Sequence, residues 1–123
     1  QLKVDTDVED TAFAVRLVEK TEVGEYINIK DGISSLSNNN GRNLGIHQVG
    51  KPQIIRIELG DIYWKIQSSS SLVLLISSSN FPMYSIHSNK FGLWSQKTLE
   101  AKIAHQIIYT DKDSFITLQI VKE

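Results

Sequence analysis

Alternation of apolar and polar side chains at period two dominates this chain and predicts a protein built from short strands. From Thr11 to Val18, Phe13, Val15 and Leu17 share one face, opposite Ala12, Ala14, Arg16 and Val18. Leu2 and Val4 alternate with Lys3, and Ile27 and Ile29 with Tyr26 and Asn28. Ile55, Ile57 and Leu59 mark a further strand face, and Ile62, Trp64 and Ile66 restart the alternation after Gly60-Asp61. Leu72 to Ile76 is an unbroken apolar run, the pattern of a strand covered on both faces, and it is expected at the centre of the core. Toward the C-terminus, Ile103, His105, Ile107 and Tyr109 lie on one side and Ile116, Leu118 and Ile120 share another. The polar Asp111-Lys112-Asp113-Ser114 between them predicts a hairpin. Helical periodicity beyond two turns is absent, so the expected fold is an all-β sandwich. Its expected core is Phe13, Val15, Leu17, Ile57, Trp64, Leu74, Ile76 and Leu118.

The interruptions between these runs predict turns. Glu19 to Gly24 and the dipeptide Asp31-Gly32 are turn signals. Asn80-Phe81-Pro82 ends the apolar run, because proline fixes φ, lacks an N–H and pushes Phe81 out of helical geometry. Ser34 to Lys51, rich in Ser, Asn and Gly, predicts a long flexible surface loop. After Tyr84 an irregular stretch is expected to run to Thr98.

At 123 residues the chain suits one domain, and 41% hydrophobic with 22% charged residues argues against wholesale disorder. The formal charge of −1 arises from 13 basic residues scattered among 14 acidic ones, with no basic stripe, so nucleic acid is not an expected partner. No cysteine is present, which removes disulfides, thiolate metal sites and thiol nucleophiles. No apolar run approaches a membrane span, and Gln1-Leu2-Lys3-Val4 has no signal-peptide pattern. Beginning with Gln in a strand, the chain is expected to be an excised piece of a larger protein. The compartment is left open, with the cytoplasm favoured over export.

Candidate chemistry is sparse. Gly32-Ile33-Ser34-Ser35-Leu36 lacks the second glycine of a Gly-x-Ser-x-Gly elbow and no helical pattern follows, so Ser34 is a poor nucleophile candidate. His47, His87 and His105 have no metal-ligand spacing, and His105 is expected to be half-buried in a strand. Asp5, Asp7, Glu9 and Asp10 lack the glycine and terminal glutamate of a calcium loop and predict a solvated turn. No cofactor is expected. Tyr63, Trp64, Tyr84 and Trp94 could form a sugar-stacking platform if the fold brought them together, while core and surface roles are the simpler reading.

Several segments, in order, resemble the C-terminal, non-catalytic domain of the X-Pro dipeptidyl-peptidase family, which includes the cocaine esterase and glutaryl acylase type α/β-hydrolases. They are Asp10-Thr11-Ala12-Phe13 with Val15 to Val18, Glu25 to Ile33, Ile55 to Leu59 with Trp64-Lys65-Ile66, Ser77 to Pro82 after the apolar run, and Ala104 to Tyr109. The resemblance implies a jelly-roll sandwich, similar to galactose-binding folds, that packs on a catalytic α/β-hydrolase domain of the same parent chain. It also implies that Gln1 to Val4 follows earlier strands of the same sandwich, so an open N-terminal edge is expected, with self-association or with the gap covered by the chain's own N-terminal residues or the Ser34 to Lys51 loop. No triad position maps onto this sequence. It departs from the family pattern at Ser34, Ser35, Ser70 to Val73 and Met83, where arginines or a Gly-His-Arg turn are usual. Asn80, Phe81, Met83, Tyr84, His87 and Trp94 are the expected interdomain contacts. The alternative is a free-standing carbohydrate-binding or interaction sandwich, distinguished by whether a hydrolase domain lies upstream.

Overall fold

A computed structural model describes residues 1–94 and 100–121. The part of the irregular stretch from Ser95 to Thr98 lies outside the described residues. Among the described residues all regular structure is β, in strands β1 (Leu2–Thr6), β2 (Ala12–Lys20), β3 (Tyr26–Ser35), β4 (Asn38–Asn39), β5 (Arg42–Asn43), β6 (Gln53–Ile55), β7 (Ser71–Ser77) and β8 (Gln106–Tyr109). They form two three-stranded sheets, ordered β6-β1-β8 and β3-β2-β7, and a small β4-β5 hairpin, with every pairing antiparallel. The inner faces share one core of Leu2, Val4, Phe13, Val15, Leu36 and Ile55, with Ile57, Leu59, Leu74, Ile76 and Ile108 packed against it. This is a sandwich-like, all-β architecture.

Strand β2 is the organising element. Its alternation puts Phe13, Val15 and Leu17 in the core as expected, and Ala12, Ala14 and Val18 on its other face are buried as well. β2 and β3 form a hairpin whose turn is closed by the Thr21 N–H on the Glu25 carbonyl (2.9 Å) and the Gly24 N–H on the Thr21 carbonyl (3.0 Å). Gly24 sits at φ +88°, a conformation that disfavours any side chain.

The expected central strand is displaced. Among the described residues β7 has a ladder to β2 alone, and its residues are half-buried or exposed rather than covered on both faces. An apolar run thus lies at a sheet edge, where no strand of the described residues pairs with one flank of its backbone. Of the remaining expected core residues, Ile57, Leu74, Ile76 and Leu118 are half-buried, and Trp64 is 42% exposed.

Asp31-Gly32 is not a turn but lies inside β3, opposite Arg16 and Val15 of β2. The glycine serves close approach: a Cβ at Gly32 would stand 2.8 Å from Ile57 Cγ2, 3.1 Å from Leu59 Cδ2 and 3.2 Å from the Glu58 carbonyl. The chain at Ile57 to Leu59 therefore crosses over β3 at the one position without a side chain.

The open N-terminal edge is also corrected. β1 is the middle strand of its sheet, paired with both β6 and β8, and Gln1 exchanges main-chain bonds with Phe115. That exchange replaces the expected C-terminal hairpin. After the Asp111 to Ser114 turn the chain crosses to Gln1 instead of returning along β8, and residues 115–121, like 57–67, lie outside the ladders formed among the described residues. Nor is Ser34 to Lys51 a plain surface loop: it carries the β4-β5 hairpin around Asn40-Gly41, both at positive φ, and buries Leu36, Asn39 and His47.

Candidate functional site

Strand β1 runs directly into the acidic segment Asp5 to Asp10, and the fold brings all three histidines of the chain to it. His47 Nε2 lies 2.7 Å from Asp5 Oδ1, His87 Nε2 lies 3.3 Å from Asp10 Oδ2, and His105 Nδ1 lies 2.6 Å from Asp7 Oδ2. Glu9 takes Lys102 Nζ at 2.8 Å. The expected solvated turn is instead a hub that ties three distant segments, around His47, around His87 and from Lys102 to His105, to the end of β1. Only Asp7 and Glu9 retain substantial exposure, while the side chains of Asp5, Asp10, His47 and His87 are buried. His105 is corrected too. Its ring is exposed, just ahead of β8, and the His105 main-chain N–H donates to Asp7 Oδ1 at 2.8 Å.

The two buried pairs differ in the partners of their second ring nitrogens. His87 Nδ1 accepts the Asn89 N–H at 2.9 Å, which leaves the proton of a neutral ring on Nε2, facing Asp10. His47 has acceptors on both sides, because Gln53 donates its Nε2 to the Leu36 carbonyl (2.9 Å) and so presents Oε1 to His47 Nδ1 at 3.3 Å. Both ring nitrogens of His47 thus face an oxygen, Gln53 Oε1 on one side and the Asp5 carboxylate on the other.

Asp10 also accepts the Ser37 N–H at 3.0 Å and the Ser37 hydroxyl. Burial pushes its carboxyl up, but the bonds from His87 and Ser37 outweigh this and hold it below the usual carboxylate range. Asp5 follows the same balance, with burial opposed by His47 and the Thr6 N–H. Serine, aspartate and histidine thus meet at Asp10, yet the carboxylate stands between hydroxyl and imidazole. In a hydrolytic triad the imidazole must touch the hydroxyl to take its proton. This cluster has the order of a structural clamp. Ser34, the other serine considered, directs its hydroxyl to the carbonyls of Ser35 (3.4 Å) and Asn38 (3.2 Å).

The segment after β7 is tied down from beneath. Arg16 of β2 donates to Asp31 Oδ1 (2.7 Å) and to Asn80 Oδ1 (2.8 Å), and Tyr84 N–H returns to the Asn80 carbonyl (3.0 Å). His87 is held by Asp10, and the Trp94 ring packs edge-on against it with centroids 4.9 Å apart. Trp94 Nε1 donates to the Ser85 carbonyl (3.0 Å). Asn89 accepts from Thr11 and donates to the Lys102 carbonyl. Of the six expected contact residues, His87 therefore lies inside as an anchor, and Asn80, Tyr84 and Trp94 are half-buried. Phe81 and Met83 are 68% and 65% exposed, and Ile86 and Leu93 beside them in sequence are as open.

The four aromatics do not form one platform. Tyr84 and Trp94 line a shallow groove with Ile33 and Ser85, at the Ala14 end of β2 where Ile33 pairs. Trp64 donates its Nε1 to Glu19 Oε2 (2.7 Å), five residues further along β2, roughly 17 Å away at strand rise.

Glu19 was not identified from the sequence. Its buried carboxylate accepts Trp64 Nε1 and the Gln67 N–H (2.8 Å), and these bonds, the amide first, hold it below the usual range. Arg16, Ser37 and the carboxylates of the hub were likewise missed as anchors. Their partners lie tens of residues away, and no local pattern links them.

Among the described residues no helix is long and apolar enough to cross a membrane, and no group of three or more carboxylates and histidines is placed to hold a metal ion. Compared with known protein families and curated proteins, the chain matches none.

Proposed function

We propose that this chain is a non-catalytic sandwich module, of jelly-roll type, that packs on a catalytic α/β-hydrolase domain of its parent protein through the segment from Asn80 to Trp94. One observation carries the reading. The segment is anchored at Asn80, His87 and Asn89 by side-chain bonds to β2, Asp10 and Thr11, yet it leaves Phe81, Met83, Ile86 and Leu93 outward. Fixed exposed apolar side chains of this size suit a surface that another folded body covers. The identity of that body comes from the sequence resemblance, which names a serine hydrolase domain of the X-Pro dipeptidyl-peptidase type. In this reading the module shapes and covers the catalytic domain, and the Ser-Asp-His machinery belongs to that domain.

The test is made on the full protein encoded by the gene. Hydrogen exchange is followed across residues 80–94 in the parent and in Phe81→Ala. Loss of interdomain protection in the variant, with the core of β2 still protected, is the expected result. A reading frame without a hydrolase domain, or protection unchanged by the substitution, would overturn the proposal.

A further inference from the structure

The edge strand β7 carries an inference that is independent of the docking face just described. From Ile66 to Ile86 the chain has no charged residue, and β7 within it, Ser71-Leu72-Val73-Leu74-Leu75-Ile76-Ser77, forms a ladder on one side only among the described residues. Exposed sheet edges are ordinarily guarded by lysine, proline or a bulge, since their free N–H and C=O groups template another strand. β7 has none of these guards: the irregularity in its sheet falls between Leu17 and Val18 in the β2-β3 pairing, on the far side of β2.

The strand is also nearly palindromic. Turned antiparallel on itself about Leu74, it sets Ser71 against Ser77, Leu72 against Ile76, Val73 against Leu75 and Leu74 against its own copy. Every residue then meets its own kind, with no charge opposed and no polar side chain set against an apolar one. Apolar cross-strand pairs of this sort are the favourable ones in sheets.

We propose that β7 is a homodimerisation edge, at which two copies join by antiparallel β7-β7 pairing about a two-fold axis at Leu74. The sheet that results has six strands, in the order β3-β2-β7 continued by β7-β2-β3 of the second copy. The interface is isologous and closes on itself, so pairing ends at the dimer. It also adds cover to side chains that β7 leaves half-buried, Leu72, Leu74 and Ile76 on one face and Val73 on the other, and to the exposed Leu75 beside Val73.

The absence of cysteine makes the register directly testable. Ser71 and Ser77 are exposed, so cysteines there disturb little. Ser71→Cys with Ser77→Cys in one chain is expected to give a disulfide-linked dimer under mild oxidation, because the two positions face each other across the axis. Each single variant is expected to stay unlinked, since the proposed register separates identical positions by six residues, roughly 20 Å of strand. Light scattering on the unmodified chain should show a concentration-dependent dimer, and Leu75→Lys should weaken it by about tenfold or more. Linking by Ser71→Cys alone, or a strict monomer at all concentrations that the double variant does not trap, would overturn the proposal. If Leu75→Lys fails to fold by circular dichroism, the cysteine pair still decides.

Discussion

Replacing Asp10 by alanine tests whether the carboxylate hub holds the fold together. The side chain is fully buried and faces three donors: the Ser37 N–H, the Ser37 hydroxyl and His87 Nε2. Truncation removes a charge-assisted acceptor and strands those donors away from water. Each orphaned donor costs about 1–3 kcal/mol, and breaking a buried charged pair by removing one partner typically costs about 3–5 kcal/mol in all. The overlap of these terms argues for the second range rather than their sum. A domain of this size has roughly 6–18 kcal/mol of stability, so the loss is a substantial fraction of it. Urea denaturation at neutral pH, followed by tryptophan fluorescence and far-ultraviolet circular dichroism together, measures the change. Glu9→Ala is the control, because its partner Lys102 is half-exposed and the pair is reached by solvent, so little change is expected there. An Asp10→Ala variant within about 1 kcal/mol of the parent would show that the donors find other acceptors, and would refute the clamp.

Three further outcomes follow from the packing. Gly32→Ala should destabilise the protein by about 1–3 kcal/mol in the same denaturation assay, since the new methyl meets Ile57 Cγ2 at 2.8 Å and the chain at 57–59 must shift; a neutral result would mean that the crossover is loosely held. Phe13→Ala, at a fully buried position, should cost about 3–5 kcal/mol, whereas Leu74→Ala on the half-open edge strand should cost about 1–2 kcal/mol, and the reverse order would restore β7 to the centre of the core. Asp5, Asp7, Glu9, Asp10, Glu19 and Asp31 are all held below their ordinary values, so the stability they contribute is complete above the unfolded carboxylate range near about pH 4 and is lost as pH falls through the folded values. In an acid titration the stability gap between the parent and Asp10→Asn should accordingly close as pH drops below that range; a constant gap would show that Asp10 is not ionised in the fold.

What the sequence determined by itself was sidedness. Alternation along β2 named Phe13, Val15 and Leu17 as inward residues, and they are buried, because a strand's side chains alternate whatever it pairs with. The all-β class followed from the same periodicity. Pairing was another matter, since a strand's neighbours are set by contacts across the whole chain. Leu72 to Ile76 read as a central strand from its composition, yet only the order β3-β2-β7 reveals that it lies at an edge. Asp31-Gly32 carried a strong local turn signal, which the crossing of Ile57 to Leu59 over β3 overrode. The acidic segment looked like a solvated turn because its partners were out of view. His47, His87 and His105 reach it only after the chain has folded back from 42, 77 and 98 residues away. Local periodicity reports which way a side chain points, whereas a buried carboxylate is stable only where distant donors converge on it, and that convergence belongs to the tertiary fold.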